Sequence, residues 1–266
     1  MKKNKIIILI CCIFMLIGSF VSIYAEEHNG YGGEYDIINL NGKEIKVAVS
    51  MSLDDKEKLM ELLTNYPTIS LDGVFKEVTT QLNIFYETDE KTRTLSTSVL
   101  EVSMVKQDVS TSSNTKKYKI SSVAVWKSNP LCHGEDYLAI SWGQEFSVQS
   151  HSAVGYYKSG STTQLFSNST TFIKHTPNYG IAYSYQCGTT NSQYYWDPWY
   201  IQVDVVLAHA ASSSGNELAD VVAIYAHRKN SLTGSIEIDL KGQISITPQV
   251  NGSIETSEPR SLQLIY

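Results

Sequence analysis

The stretch NSQYYWDPWYIQVDVVLAHA, residues 191–210, decides the fold class of this chain. From Trp199 onward, large apolar side chains occupy the odd-numbered positions as far as Leu207, and the series ends at His209. A period of two is typical of a strand with one buried face. The pattern therefore predicts a core strand whose odd positions face inward.

Segments of the same kind fill most of the chain around this strand. From Val74 to the C-terminal end, short runs rich in Val, Ile, Thr and aromatic residues alternate with clusters of Ser, Gly and Asn. About a dozen such runs, with no helical pattern between them, favour antiparallel pairing in a sandwich or barrel. We predict a mainly β protein, an antiparallel β-sandwich over residues 91–266 with one short N-terminal helix.

Residues 26–90 differ from the rest in pattern and contain the helix. Ser52 and Asp55 have the spacing of a capping box, leucines follow at helical spacing, and Pro67 ends the pattern. Asn41-Gly42 between two short runs predicts a tight hairpin turn, because both residues tolerate a positive φ. We expect this N-terminal hairpin and helix to pack on the main domain.

The charge of the chain lies at its N-terminal end. Residues 26–90 hold 14 acidic and 5 basic side chains, which gives a net charge of 5 − 14 = −9. Residues 91–266 hold 13 of each sign and are neutral. Because nucleic acid and anionic lipid select basic surfaces, we predict no nucleic-acid partner.

Residues 1–25 have the order of a secretory signal peptide. Three lysines precede an apolar run that becomes smaller and more polar towards Ala25. We expect cleavage after Ala25 and a protein that is secreted, extracellular or associated with the cell surface. An uncleaved membrane anchor is the alternative, since about 20 apolar residues can span a bilayer.

Two cysteines remain after cleavage, Cys132 and Cys187. Outside the cell such a pair favours a disulfide, which here would close a loop of about 55 residues. The alternative is a nucleophilic Cys132 activated by His133. Neighbouring residues of a strand point to opposite faces, however, so adjacency argues against that pair.

The histidines predict no metal site. We expect residues 199–210 and 219–228 to form one hairpin, in which His209 faces Asp220. His209 and His227 would then stand about 23 Å apart at the rise of a strand, too far to share an ion. His209 is interpreted as a core-edge residue with a hydrogen-bond partner, and Asp220 could be that partner or a metal co-ligand. Neither a metal nor a cofactor is predicted.

Known catalytic motifs do not occur in the sequence. It contains no nucleophile elbow, zinc-protease helix or glycine-rich phosphate loop. The segment CHGEDY, residues 132–137, places His133 beside Glu135 and Asp136. A paired-carboxylate hydrolase would need a second acid from elsewhere. The available acids are Glu145, Asp197 and Asp204.

Aromatic residues are abundant, and one cluster suggests a binding platform. Tyr and Trp offer rigid faces with one polar atom, which suits a sugar ring or a wet protein interface. We predict a ligand site on four residues, Tyr194, Tyr195, Trp196 and Trp199. Because large rings also fill wide sandwich cores, Trp199 has a second interpretation as part of the core strand.

A long hairpin over residues 94–126 opens a different possibility. It carries small polar residues along much of its length, as do the hairpins that line the pores of secreted β-toxins. Its alternation is imperfect, because Leu100, Val102 and Met104 on one face are opposed by both Val and polar residues on the other. A pore-forming toxin or bacteriocin-like protein is therefore an alternative.

Two segments, VWKSNPLCHGEDYLAISW and AIYAHRKNSL, carry a resemblance. They resemble uncharacterised secreted all-β proteins of Gram-positive bacteria, which have a W-K-x-x-P stretch followed by an acid and later a Y-x-H segment in a strand. His133 stands where that pattern has a basic Arg. The resemblance implies secretion and β-architecture and no activity. The matching residues are Trp126, Lys127, Pro130, Asp136, Tyr225 and His227.

Taken with the absence of catalytic motifs, these patterns predict a secreted, non-enzymatic binding protein. Its expected partner is a cell-envelope glycan or an extracellular protein. The pore-former and an extracellular hydrolase without a recognisable motif are the alternatives.

Overall fold

The structure is a computed structural model of the full chain. It describes residues 34–66, 68–84, 99–128, 135–143, 146–159, 162–166, 170–176, 179–186, 189–190, 195–211, 217–228, 234–238, 244–248, 254–256 and 260–266.

One helix and seventeen strands make up this described part of the chain. The helix, α1, spans Leu53–Asn65. The strands are β1 (Tyr35–Leu40), β2 (Lys43–Ala48), β3 (Val74–Ile84), β4 (Val99–Asp108), β5 (Thr115–Trp126), β6 (Glu135–Trp142), β7 (Ser147–Ser159), β8 (Thr162–Phe166), β9 (Thr170–Thr176), β10 (Gly180–Gln186), β11 (Thr189–Thr190), β12 (Tyr195–Ala210), β13 (Leu218–Arg228), β14 (Gly234–Ile238), β15 (Ile244–Pro248), β16 (Ile254–Thr256) and β17 (Arg260–Ile265).

The strands form two large sheets and one small hairpin. The first sheet has the order β1-β2-β3-β4-β5-β12-β7-β8, with β11 added beside β12. The second has the order β16-β13-β6-β10-β9, and β17 also pairs with β13. The small hairpin is β14–β15. The architecture confirms the predicted mainly β sandwich with one short helix.

The main core lies between the two large sheets and confirms the period-two pattern of β12. Ile201, Val203, Val205 and Leu207 are fully buried in the same cluster as Leu138 and other residues of the second sheet. The even positions of β12 face the other side of the first sheet, which is the outer face. From Ile201 to Leu207 the odd positions therefore face inward, as the sequence predicts. Trp199 is the exception, because the pairing register with β7 shifts between Pro198 and Tyr200 and Trp199 packs against the outer-face cluster.

Helix α1 covers part of the outer face of the first sheet. Leu59, Leu62 and Leu63 are buried against a cluster that includes Val105 and Val123. Ser52 caps the helix, with its Oγ accepting a hydrogen bond from the Asp55 backbone N–H at 3.1 Å. The capping box is confirmed. Apolar spacing and the cap together explain why these residues form a helix that buries one side.

The N-terminal region contains the predicted hairpin turn and one parallel strand pair, which the antiparallel prediction did not include. Asn41 and Gly42 have φ values of 52° and 80°, which confirms the predicted hairpin turn between β1 and β2. The next pairing, β2 with β3, is parallel. Helix α1 connects these two strands, because parallel neighbours need a long crossover. The boundary predicted at residue 90 lies outside the described residues.

The predicted hairpin of residues 199–210 with residues 219–228 is wrong. Strand β12 pairs with β5 on one edge and β7 on the other, all in the first sheet. Strand β13 pairs with β6 and with β16 and β17 in the second sheet. A strand has two hydrogen-bonding edges, and both edges of each strand are occupied by other partners. The chain therefore passes from one sheet to the other between them.

His209 lies at the edge of the core, but Asp220 is not its partner. The imidazole packs between the rings of Phe146 and Tyr266, with centroids 5.0 and 4.4 Å away. Its Nδ1 hydrogen-bonds the backbone oxygen of Ala210 at 2.6 Å. Asp220 is in the second sheet, where it accepts a hydrogen bond from Gln263. The predicted core-edge position is right and the predicted partner is wrong.

The hairpin considered for pore formation is present as β4–β5, paired from Leu100↔Trp126 to Asp108↔Tyr118. One face belongs to the core between the sheets, with Leu100, Val102 and Met104 fully buried. The other face is buried too, with Ser103 and Val105 each 1% exposed. Lining a pore would require this hairpin to give up its contacts in the core between the sheets and in the cluster on the outer face. None of the helices in the described part is both long and apolar enough to cross a bilayer.

Candidate binding surface at one end of the sandwich

One end of the sandwich collects most of the notable polar and aromatic side chains. Here β5, β10 and β13 end, and β4, β6 and β12 begin. Two groups of residues meet there on opposite faces of the first sheet. We call them the buried polar network (Trp126, Asp136, Tyr185, Tyr225 and His227) and the aromatic patch (Tyr66, Tyr156, Trp199 and Tyr200).

The buried polar network centres on one carboxylate. Asp136 is 0% exposed and lies with its Oδ1 2.9 Å from His227 Nδ1. The Tyr225 hydroxyl donates to the Asp136 carboxylate. Tyr225 Oη is in turn 2.9 Å from Trp126 Nε1 and 2.6 Å from the Tyr185 hydroxyl. The buried side chain of Tyr225 thus connects four strands, β5 of the first sheet and β6, β10 and β13 of the second.

The direction of these hydrogen bonds follows from the chemistry of the groups. Trp126 can only donate, so Tyr225 accepts from it. Since the Tyr225 proton points to Asp136, the Tyr185 hydroxyl must donate to Tyr225 as well. An ionised carboxylate only accepts, so His227 presents Nδ1–H to it. Every group in the network then has a compatible partner, as a buried polar cluster requires.

A catalytic use of this network has little support in the geometry. A carboxylate bound to histidine Nδ1 can orient a general base. Yet His227 is only 3% exposed, and its ring centroid lies 4.9 Å from that of Trp126 in an edge-to-face contact. Among the described residues, no group of three or more His, Cys, Asp or Glu side chains could hold a metal ion. The network is best explained as a structural connection between the sheets.

Among the acids considered for a paired-carboxylate site, Asp136 and Asp204 have side chains that the structure describes, and these two do not meet. Asp136 lies between the sheets, whereas Asp204 lies on the outer face of the first sheet. There Asp204 accepts hydrogen bonds from Ser121 Oγ at 2.5 Å and from Gln202 Nε2 at 2.9 Å. Burial raises the pKa of the Asp204 carboxyl above its usual value. Glu145 and the side chain of Asp197 lie outside the described part of the chain.

The aromatic patch lies on the outer face, beside the end of α1. Tyr156 and Tyr200 are stacked, with centroids 4.5 Å apart and planes inclined by 16°. Trp199 meets Tyr200 edge-on at 5.1 Å and lies 6.2 Å from Tyr66. Tyr66 and Tyr200 are buried, whereas Trp199 and Tyr156 are half-buried. The two half-buried rings present part of their surface to solvent on a base of buried rings.

Hydrogen bonds and charges surround the base of this patch. The Tyr200 hydroxyl is 2.8 Å from Thr68 Oγ1, which also donates to Gln202 Oε1 at 2.7 Å. Burial, together with the negative charges of Glu101 and Glu61, raises the pKa of Tyr66 to about 12. These contacts hold the tyrosine rings in place and keep their hydroxyls protonated.

The predicted ligand residues have different outcomes. Trp199 belongs to the aromatic patch. Tyr195 and Trp196 pair with Thr190 and Thr189 along the backbone of β12. Their side chains, and Tyr194 as a whole, lie outside what the structure describes. The ligand site therefore stays a prediction.

The disulfide also stays a prediction, because Cys132 and Cys187 lie outside the described residues. The nearest described positions are Glu135 and Gln186, which are direct partners in the β6–β10 pairing. The two cysteines are three residues before one of these positions and one residue after the other. This proximity along the chain supports the proposed bridge.

The residues that carry the sequence resemblance are brought together in part. Trp126, Asp136, Tyr225 and His227 all belong to the buried polar network. Lys127 forms an ion pair with Glu101 at 2.9 Å, and Pro130 lies outside the described residues. Sequence reasoning missed Tyr66, Tyr156 and Tyr185, since nothing local distinguishes them from other core tyrosines.

Comparisons with known proteins show no family for this chain. No family model and no curated protein matches it. One similar solved chain comes from work described as "pH-induced modulation of Streptococcus parasanguinis adhesion by Fap1 fimbriae", with 12% identity and a TM-score of 0.25 over 68% of this chain and 94% of that one. Another comes from "AvmM Catalyzes Macrocyclization in Alchivemycin A Biosynthesis", with 11% identity and a TM-score of 0.23 over 56% and 80%. Likenesses this weak carry no argument about function.

Proposed function

We propose that this protein is a secreted, non-enzymatic binding protein of the extracellular space or cell surface, and that its aromatic patch binds a glycan. The observation that carries the proposal is the arrangement of Trp199 and Tyr156. Both rings are half-buried, and both are held from below by the buried ring of Tyr200.

This arrangement suits the apolar face of a sugar ring. Tyrosine and tryptophan lose little conformational entropy on binding because each side chain has two rotatable angles, and here packing already restricts them. A rigid aromatic surface beside polar groups such as Thr68 and Glu101 can combine stacking with hydrogen bonds to sugar hydroxyls. The other three predicted ligand residues, Tyr194, Tyr195 and Trp196, come within five residues before Trp199 in the sequence.

The first experiment measures binding of the mature protein, residues 26–266, to purified cell-envelope fractions. We expect Trp199→Ala to weaken binding at least tenfold, and the double variant with Trp196→Ala to weaken it further. The matched control is Leu218→Ala, because Leu218 is 51% exposed and lies at the opposite end of the sandwich. Circular dichroism and urea unfolding establish that each variant is folded.

Treatment of the envelope fraction distinguishes the kinds of ligand. Binding that survives protease digestion and is lost on periodate oxidation supports a glycan. Binding that is lost on protease digestion alone would replace the glycan with a protein partner. Specific leakage from liposomes caused by the mature protein would overturn the binding proposal in favour of pore formation.

A further inference from the structure

Two negatively charged side chains lie next to the aromatic patch. Glu101 of β4 lies opposite Val125, which lies opposite Tyr200, so Glu101 is two strands from the patch on the same sheet. Glu61 of α1 precedes Leu62, which is buried in the same cluster as Tyr66 and Tyr200. Glu61 is exposed to solvent, and Glu101 is partly exposed on the outer face of the first sheet. A ligand on the half-buried rings of Trp199 and Tyr156 would approach this pair of carboxylates.

The positive charge beside the patch is already neutralised. Lys127 Nζ lies 2.9 Å from Glu101 Oε2, and its side chain is 41% exposed. This ion pair leaves Glu61, which forms no ion pair with the described residues. Further along α1, Lys58 pairs with Asp54 and lies 3.9 Å from Asp55. The local balance is therefore negative.

The charge of the whole N-terminal region has the same sign. Residues 26–90, which include α1, carry a net charge of −9, whereas the rest of the chain after residue 90 is neutral. Exposed charges act over roughly 8 Å at physiological ionic strength and farther in dilute salt. An acidic polymer that approached the outer face beside α1 would be repelled, and a cationic one would be attracted.

We infer that the aromatic patch selects saccharides without negative charge, binding amino-bearing sugars most tightly, neutral sugars next and acidic sugars least. The inference rests on the proposed glycan-binding function of the same patch. The aromatic rings supply stacking for any of the three classes. The discrimination comes from the net negative charge of Glu61, Glu101 and Lys127, in which Lys127 offsets Glu101 and leaves the carboxylate of Glu61. Like-charge contacts of this kind act mainly on specificity.

The test compares three hexasaccharides of similar length: one of glucosamine, one of N-acetylglucosamine and one of galacturonic acid. Calorimetry on the mature protein at about 20 mM and about 500 mM salt gives the affinities. We expect the stated order at low salt, with about tenfold between the neutral and the acidic oligomer. The differences should shrink at high salt, because screening weakens exposed charges.

Substitutions that remove a single negative charge test whether Glu61 causes the discrimination against acidic sugars. Glu61→Gln should raise the affinity for the galacturonic acid oligomer severalfold and leave that for the N-acetylglucosamine oligomer unchanged. The matched control is Glu44→Gln, an exposed acid near the β1–β2 turn at the far end of the sheet. If none of the three oligomers binds, the proposed glycan function fails. If they bind in any other order, or if Glu44→Gln has the same effect as Glu61→Gln, the selectivity inference fails and the function stands.

Discussion

The buried polar network and the aromatic patch occupy the same end of the sandwich on opposite faces of the first sheet, and they treat polar groups in different ways. In the network, Asp136 and Tyr225 are 0% exposed and every hydrogen bond stays inside the protein. In the patch, Trp199 and Tyr156 keep part of their surface in solvent. A sealed set of polar groups is costly to disturb and holds strands together. A half-exposed set is available for a ligand.

The largest effect on stability is expected from the substitution Asp136→Asn in the buried polar network. The substitution removes the negative charge and replaces one accepting oxygen with an NH₂ donor, so the hydrogen bonds from Tyr225 and His227 compete for one neutral oxygen. Hydrogen bonds to charged groups contribute about 1.5–3 kcal/mol each. We expect a loss of that size in the free energy of unfolding, measured with urea, and no loss of ligand affinity per folded molecule.

The exposed Asp220 provides the control for that substitution. Asp220→Asn should change the free energy of unfolding by no more than about 0.5 kcal/mol, as is usual for surface positions. A loss below about 1 kcal/mol for Asp136→Asn would contradict the structural role given to the network.

The proposed disulfide would strengthen the same interior region. Glu135 and Gln186 are paired at the end of β6 and β10, and Cys132 and Cys187 lie just beyond them in sequence. A bridge closing about 55 residues contributes roughly 4 kcal/mol in the chain-entropy model, less any native strain. We therefore expect Cys187→Ser, or reduction, to lower the free energy of unfolding by an amount of that order.

Mass spectrometry of the mature protein without reductant checks the bridge itself. A linked peptide containing both cysteines is the expected result. Two free thiols in protein secreted by the native route would exclude it. The Cys132→Ser variant should match Cys187→Ser, whereas a catalytic Cys132 would make the two variants differ in activity and not in stability.

The smallest expected effect is the contribution of Asp204 to the pH dependence of stability. This carboxyl lies on the outer face and is only partly buried. Burial raises the pKa of this carboxyl, and hydrogen bonds from Ser121 and Gln202 oppose the rise. The folded state therefore holds this proton more tightly than the unfolded state does. The resulting stabilisation is complete below the ordinary aspartate pKa of about 4 and is lost as the pH rises through the raised value.

Unfolding measured over a range of pH tests this sign. As the pH falls towards 4, wild-type protein should gain stability relative to Asp204→Asn, which cannot titrate. A difference between the two proteins that is independent of pH, or one that grows as the pH rises, would show that the Asp204 carboxyl is not destabilised by burial.

Local sequence patterns predicted the elements of this fold well. The alternation in β12, the capping box at Ser52 and the turn at Asn41-Gly42 all act over a few residues. Each depends on a backbone preference or on which face of one element is apolar. Such preferences can be read without knowing what lies beyond the element.

Strand partners could not be predicted in the same way. The pattern of β12 and β13 shows that each has a buried face, and adjacency in sequence favoured a hairpin between them. Their partners instead come from distant segments, such as Ser122 opposite Val203 and Ile140 opposite Ala223. Period-two alternation states which face is buried and contains no information about which strand lies alongside.

The candidate site shows the same division. Trp199 was a candidate ligand residue because of the aromatic run around it, whereas Tyr66 and Tyr156 reach it from a helix end and another strand. Trp126 and Tyr225 meet although 99 residues separate them. The strands, the helix, the acidic N-terminal region and the apolar face of each element could be predicted, because these follow from local chemistry. Which polar groups are buried and which rings stay half-exposed is visible only in the folded protein, because burial depends on the long-range pairing of strands.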